Sequence, residues 1–259
     1  MPTYHPAYIL REVEKNPAAE IVFRNDLKQA LRCLNKPLPT LKEEANCVEV
    51  VKDEDKAVSW LNHLLYAADK YKEGDGFLGS TDIETTGLKP FRPGHKIWYV
   101  GFADTPDHAI VFPFIHMPKT RRPLRELLLH PAFFLMAHNT AFEDMWFREI
   151  LGVQVPSWKW CSMQTAHILD NRRGISGLKF QLYVQTGLVD YSSHISPYLE
   201  ATGKELELHG DNGFNNIHKA PEHDTMVYCG IDCIGQYRLA LIQEQLLQTN
   251  ILSPYVTPF

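Results

Sequence analysis

The sequence predicts an α/β fold, a mixed five-stranded sheet flanked by helices with a small N-terminal extension. Three observations predict it. Leu78 and its neighbours, Ile97 to Ala103 and His108 to Phe114 are β-rich runs bounded by turn residues. Phe133 to Ala137 is a fourth apolar run, reached only after a helical stretch around Leu124 to Leu129. Three strands joined by short turns read as antiparallel, and a strand regained through a helix reads as parallel to the first.

Along the chain, residues 1–45 look separate. A Pro2-Thr3-Tyr4-His5-Pro6 start leads through a polar stretch into a helical pattern of Ile21, Phe23, Leu27, Ala30, Leu31 and Leu34. Lys36-Pro37-Leu38-Pro39-Thr40 reads as a linker. The main unit is 46–250. Val48 to Val51 is a short β-like run, and Asp53 to Tyr71 is an amphipathic helix (Ala57, Trp60, Leu61, Leu64, Leu65, Ala68) with an Asp near its start. Glu73-Gly74-Asp75-Gly76 turns the chain into the strand bearing Asp82, and Asp104-Thr105-Pro106-Asp107 closes a hairpin. A helix is expected to start near Asn139, a short strand to occupy Trp158 to Ser162, and helices to cover Met163–Leu169 and Ser176–Thr186. Gly187 to Pro221 is polar and long, as functional or mobile loops are. The last helix is expected over Glu222 to Leu247, with 251–259 as a tail.

Bulk properties narrow the function. No apolar run approaches the ~20 residues of a membrane span, and Met1-Pro2-Thr3-Tyr4-His5 has no signal-peptide character. Five cysteines without metal-ligand spacing point to a reduced, cytoplasmic chain. A net charge of −5 is no basic footprint and disfavours a high-affinity duplex binder. It suits an acidic site whose ions carry the positive charge.

That site announces itself in Ser80-Thr81-Asp82-Ile83-Glu84-Thr85-Thr86-Gly87-Leu88. Residues i and i+2 of a strand share a face, so Asp82 and Glu84 project side by side. Two adjacent carboxylates raise each other's pKa, and a hard divalent cation such as Mg²⁺ or Mn²⁺ removes the penalty. Asn139 to Glu143 and Asp144 adds an acid in the first turn of a helix. Tyr228 and Asp232, four apart, share a helix face. Asp144 pairs i, i+4 with Arg148 in solvent, while Glu143 aligns with Asn139 and the edge of the apolar face, so Glu143 is the assigned ligand and Asp144 the alternative.

The order DxE, N-x-x-x-acid, Y-x-x-x-D resembles the DEDD superfamily of 3′–5′ exonucleases, tyrosine subclass, over roughly residues 75 to 250. The proofreading domains of family A DNA polymerases, especially those of bacteriophages, are the nearest look-alikes. The resemblance implies a ribonuclease H-like fold and two Mg²⁺ or Mn²⁺ ions held by Asp82, Glu84, Glu143 and Asp232. Tyr228 is then the residue that orients the attacking water. It places Thr85, Leu88 and Asn139 against the strand, Leu88 as a wedge between the last two bases. The substrate implied is a single-stranded or frayed DNA 3′ end and the partner a DNA polymerase, in a bacterial host's cytoplasm if the chain is phage-encoded. The sequence leaves DNA against RNA open. Glu143 stands where the family usually has Asp, and Cys161-Ser162 where relatives often carry Asp-Thr. Residues 1–45 resemble the C-terminal tail of a family 4 uracil-DNA glycosylase without its catalytic loop or cluster cysteines. The rival reading of these residues is a helix packing on the main unit. The rival for the whole chain is a non-catalytic docking module for a separate polymerase.

Overall fold

The structure is a computed structural model that describes residues 3–32, 34, 41–71 and 76–251. The expected linker at 36–40, most of the turn at 73–76 and the tail beyond Ile251 lie outside the described residues.

In chain order the elements are α1 (Pro6–Glu12), α2 (Pro17–Arg32), α3 (Leu41–Ala45), β1 (Val48–Val50), α4 (Glu54–Ala68), β2 (Phe77–Thr85), β3 (Ile97–Thr105), β4 (His108–Phe112) and α5 (Arg121–Leu128). There follow β5 (Phe133–Ala137), α6 (Thr140–Leu151), β6 (Trp158–Cys161), α7 (Ser162–Leu169), α8 (Leu178–Thr186), α9 (Ser196–Leu199), α10 (Gly203–His209) and α11 (Glu222–Ile251). The strands form one sheet in the order β1-β4-β3-β2-β5-β6. β2, β3 and β4 pair antiparallel, while β5 runs parallel to β2 and β6 parallel to β5. The sheet has six strands rather than five. Val48–Val50 pairs parallel with Ala109–Val111 and covers an edge of β4 that would otherwise leave its backbone groups unpaired.

Alternation along β2 decides which side each residue serves. Ile83 joins the main core of Leu61, Leu64, Phe102, Phe133 and Trp146, beneath α4, α5 and α6. Ser80 faces the other way and donates its hydroxyl to the Cys233 carbonyl of α11 at 2.6 Å. Asp82 and Glu84 share that phase, so the acidic pair points toward α11. A register shift between Glu84 and Thr85 ends the regular pairing with β3 and releases the chain into the Gly87-Leu88 turn.

α11 is buried on several faces, with Met226, Cys229, Cys233, Ile234 and Leu239 all inaccessible, as befits a helix laid across the middle of a sheet. It approaches closely: a Cβ on Gly101 of β3 would stand 2.8 Å from Cys233 Sγ and 2.9 Å from Cys229 Sγ. Close seating fixes the height of Tyr228 and Asp232 above β2.

The N-terminal segment forms the helices α1 and α2. His5 and Pro6 open α1, with His5 Nδ1 accepting the Ala7 N–H at 3.1 Å. Two apolar residues of α2 are turned outward, Leu27 at 48% and Leu31 at 67% exposure, whereas Asn25, Asp26 and Gln29 are buried. Polar contacts explain the inversion. Asn25 Nδ2 donates to the Tyr183 carbonyl of α8 at 3.3 Å, and the Tyr183 hydroxyl donates to Asp26.

Candidate active site

The acidic residues converge at one end of β2. Asp82 and Glu84 come from the strand, Glu143 from the first turn of α6, and Tyr228 and Asp232 from α11. A cleft of about 190 Å³ opens there, walled by Asp82, Glu84, Thr85, Leu88, Tyr228 and Asp232 and also by Phe142, Leu199 and Asn215. Oxygens of Asp82 and Glu84 and the Sγ of Cys229 all lie within 4.8 Å of one another. Glu143 does not line the cleft; it is 4% exposed, behind it.

Burial and mutual repulsion set the electrostatics. Asp82 keeps an edge open to the cleft but is densely surrounded by protein. Desolvation, then the Asp232 charge, pushes its pKa up to about 8. Glu84 is raised well above the usual carboxylate range by burial and then by Asp82. Glu143 is raised by burial and then by Asp82, and its Oε2 has no hydrogen-bond partner. Carboxylates gathered in this way are costly without a counter-charge. Hard oxygen donors, one of them orphaned, fit a divalent metal ion.

Asp232 is held differently. Its two oxygens accept from the Tyr191 hydroxyl and from the Lys179 ammonium. Lys179 Nζ also stands 4.4 Å over the Tyr228 ring and lowers the cost of charging Asp82 and Glu84. Gln236 Nε2 donates to Asp82 Oδ1 at 3.1 Å. Tyr228 is 8% exposed, and burial followed by Asp232 pushes its phenol far above the ordinary value, so it keeps its proton.

Asp144 takes no part in this cluster. Its carboxylate accepts from Arg148 Nη2 at 2.8 Å, from Val155 N at 3.2 Å and from Trp158 Nε1 at 3.1 Å. The expectation of an ion pair out in solvent is corrected, because the Asp144 side chain is only 18% exposed and pins the start of β6 to α6. Asn139 occupies the N-cap position of α6 without a side-chain capping bond, and it stays off the cleft wall. The Thr85 hydroxyl donates to the Gly87 carbonyl at 2.7 Å, which leaves its oxygen free only to accept. Leu88 is 56% exposed at the cleft mouth.

The segment read as a long polar loop is folded. It carries α9 and α10 and fastens to the turn after β2. Asn215 Nδ2 donates to the carbonyls of Thr85 (2.8 Å) and Leu199 (3.2 Å), while Asn215 N bonds Thr86 O at 2.9 Å. Arg92 pairs with Glu205 at 2.6 Å and stacks on Phe214. Gly87 lies so close to this segment that a Cβ there would meet Gly213 O at 2.6 Å. Asn215 and Tyr191 are site residues that sequence reasoning missed, and for Lys179 it offers contact with phosphate or base only behind a helix-surface reading. Lys179 reads as an ordinary helix-surface lysine, and no spacing marks the other two.

Comparison with solved structures assigns the architecture. A structure described as the apo form of a nuclease superposes with a TM-score of 0.52 at 18% identity, covering 78% of this chain and 81% of that one. The catalytic core of RRP6 from Trypanosoma brucei gives 0.53 at 12% identity, covering 79% and 48%. Escherichia coli RNase D, described as an exoribonuclease involved in structured RNA processing, gives 0.52 at 11% identity, covering 81% and 46%. The chain has the fold of the DEDD-type 3′–5′ exonucleases. It spans about half the length of the RRP6 core and RNase D structures. No protein-family model matches it, and no curated protein matches it by sequence. Within this exonuclease fold, no described helix is long and apolar enough to cross a membrane.

Proposed function

We propose that the protein is a metal-dependent 3′–5′ exonuclease that shortens DNA from its 3′ end and releases nucleoside 5′-monophosphates. The observation that supports this most is the gathering of four carboxylates from three separate elements beside a protonated tyrosine, at one cleft. Asp82, Glu84, Glu143 and Asp232 would hold Mg²⁺ or Mn²⁺. Bound there, two ions would lower the pKa of water and stabilise the charge developing on the scissile phosphodiester.

The remaining roles fall to the chain's own groups. Asp82, coupled electrostatically to both Glu84 and Asp232, would be a ligand to both ions in this reading. Tyr228 keeps its proton and aims the attacking water by hydrogen bonding, a positional effect. Leu88, exposed at the mouth, wedges between the last two bases, Thr85 accepts from the terminal 3′-hydroxyl, and Asn139 steadies the strand near the start of α6. Lys179 and Tyr191 hold Asp232 in place. A proofreading unit acting with a separate DNA polymerase is the setting this reading favours.

RNA is the second reading, because RNase D, whose fold this chain shares, is described as an exoribonuclease. One assay decides. Purified protein is incubated with 5′-labelled single-stranded DNA or RNA in Mg²⁺, Mn²⁺ or EDTA. A ladder shortening from the 3′ end of DNA, abolished by EDTA, is expected. A ladder on RNA alone moves the substrate to RNA, and no shortening of either in any metal favours the docking module.

A further inference from the structure

Helices α1 and α2 stand outside the sheet, yet α2 reaches the site through one residue. It turns Leu27 and Leu31 to solvent and buries Asn25 and Asp26 instead. A helix that only had to adhere would bury its apolar stripe. A carboxylate that is 3% exposed is costly without a partner. What it offers in return is direction, since a hydrogen bond fixes position and apolar contact does not. Both buried side chains grip the same residue of α8. Asp26 accepts the Tyr183 hydroxyl, and Asn25 Nδ2 donates to the Tyr183 carbonyl at 3.3 Å. Burial, and then the bond to Asp26, push the Tyr183 phenol up to about 12, so it remains a donor across the working pH range.

Tyr183 lies one helical turn beyond Lys179, and residues i and i+4 of a helix share a face. Both line a cavity of about 440 Å³. From that turn Lys179 Nζ reaches Asp232 of α11 and stands 4.4 Å over the Tyr228 ring. Its side chain is 37% exposed, so packing alone does not hold it. The helix that carries it sits tightly on α11: a Cβ on Gly235 would stand 2.5 Å from Leu182 Cδ1. A small turn of α8 on that seat moves the ammonium relative to Asp232.

We propose that α2 belongs to the catalytic unit: Asp26 and Tyr183 are positioning residues that set, through α8, where Lys179 meets Asp232. Neither lines the cleft. They act through Lys179 on a carboxylate assigned to the metal ions. The inference rests on the exonuclease reading and adds to it a role for the N-terminal helices. Groups bonded directly to a ligating carboxylate typically change metal affinity or activity by roughly 10–100-fold, and a brace one residue further out moves it less.

The test compares two substitutions that remove the same charge. Asp26→Asn keeps an oxygen for the Tyr183 hydroxyl, and Asp26→Leu removes it. Calorimetry measures Mn²⁺ binding to the full chain, well below each variant's melting temperature, with and without Lys179→Met in the same chain. Asp26→Leu is expected to weaken Mn²⁺ binding about threefold to tenfold, and Asp26→Asn to stay within about twofold of wild type. In the Lys179→Met chain the two should bind Mn²⁺ alike, because the brace has nothing left to position. If Asp26→Leu does not fold, Tyr183→Phe takes its place in the same cycle. Mn²⁺ affinity unchanged by Asp26→Leu, an equal loss in Asp26→Asn, or a loss just as large beside Lys179→Met overturns the proposal and leaves α2 as packing. A wild type that binds no Mn²⁺ overturns both the brace and the exonuclease reading. A wild type that shortens neither DNA nor RNA, while the expected pattern of Mn²⁺ binding holds, overturns the exonuclease reading alone.

Discussion

The two halves of the site are built by opposite means. On one side, Asp82, Glu84, Tyr228 and Asp232 ride on a strand and a helix whose periodicity fixes where each carboxylate points. On the other, Asn215, Tyr191 and Lys179 reach the site through contacts spanning 130, 41 and 53 residues of sequence. The first half is held against its own preference, since Asp82 and Glu84 are crowded and raised in pKa. The second half is held by direct bonds, Asn215 to backbone carbonyls and Tyr191 and Lys179 to Asp232. Removing a group from the first should cost function and relieve the fold, whereas removing one from the second should cost stability first.

The largest effect expected is at Asp82. Asp82→Ala should leave the fold intact and reduce cleavage to well under a tenth of wild type, more than ~1.4 kcal/mol of barrier. Metal-free stability should not fall, because one repelling charge leaves the cluster. Steady-state kinetics and thermal unfolding of the same preparation check both parts. Activity above a tenth in Mg²⁺ would end the assignment of Asp82 as a shared ligand.

The neighbouring acids of α6 sharpen the contrast. Glu143→Gln should cripple turnover and weaken metal binding, measured by calorimetry with Mn²⁺. Asp144→Asn should keep most activity at low temperature and lose about 1–3 kcal/mol of stability, as a covered acceptor of three hydrogen bonds does. The reverse assignment would follow if Asp144→Asn lost turnover and Mn²⁺ affinity with no change in melting temperature.

Tyr228→Phe removes only a hydroxyl. A fall in kcat on the order of 10²-fold or somewhat less, with Mn²⁺ affinity unchanged, fits a group that aims water. Unaltered kcat at saturating metal would remove Tyr228 from the chemistry. The smallest effect on rate is expected at Asn215. Asn215→Ala should lower stability by about 1–3 kcal/mol, because it leaves the Thr85 carbonyl unpaired in a buried turn. Its kcat should change by less than about tenfold. A large kcat loss without destabilisation would place Asn215 on the substrate.

These contrasts follow what the sequence made legible. Period-two and period-3.6 spacing located Asp82, Glu84, Tyr228 and Asp232 on their elements, and the hairpin and crossover signals predicted the pairing of β2 with β3 and β5. The sheet was counted one strand short: Val48 to Val51 reads as a β-like run, but its pairing with β4 is a tertiary fact. The helical pattern of α2 was legible, but that it turns Asn25 and Asp26 toward α8 depends on tertiary partners no local spacing marks. Lys179 showed nothing local to separate it from a solvated lysine. Its meaning came only from Asp232, 53 positions on.

The central claim is that the crowded carboxylates are shaped for cations, and thermal unfolding against pH, with and without Mn²⁺, tests it most directly. The sign follows from Asp82. Its pKa is 3.8 in the unfolded reference and about 8 in the metal-free fold, so the folded state binds the proton more tightly. The stability from that bound proton is present in full below about pH 4 and is lost as pH rises through about 8. Glu84 and Glu143, also raised, act in the same direction. In EDTA the melting temperature should therefore decline across this window, and saturating Mn²⁺ should restore it by an amount that grows with pH. The same scan on Asp82→Asn should show a shallower decline and little response to Mn²⁺. A wild-type melting temperature that ignores Mn²⁺ at pH 8, or a variant that responds as strongly as wild type, would contradict the claim.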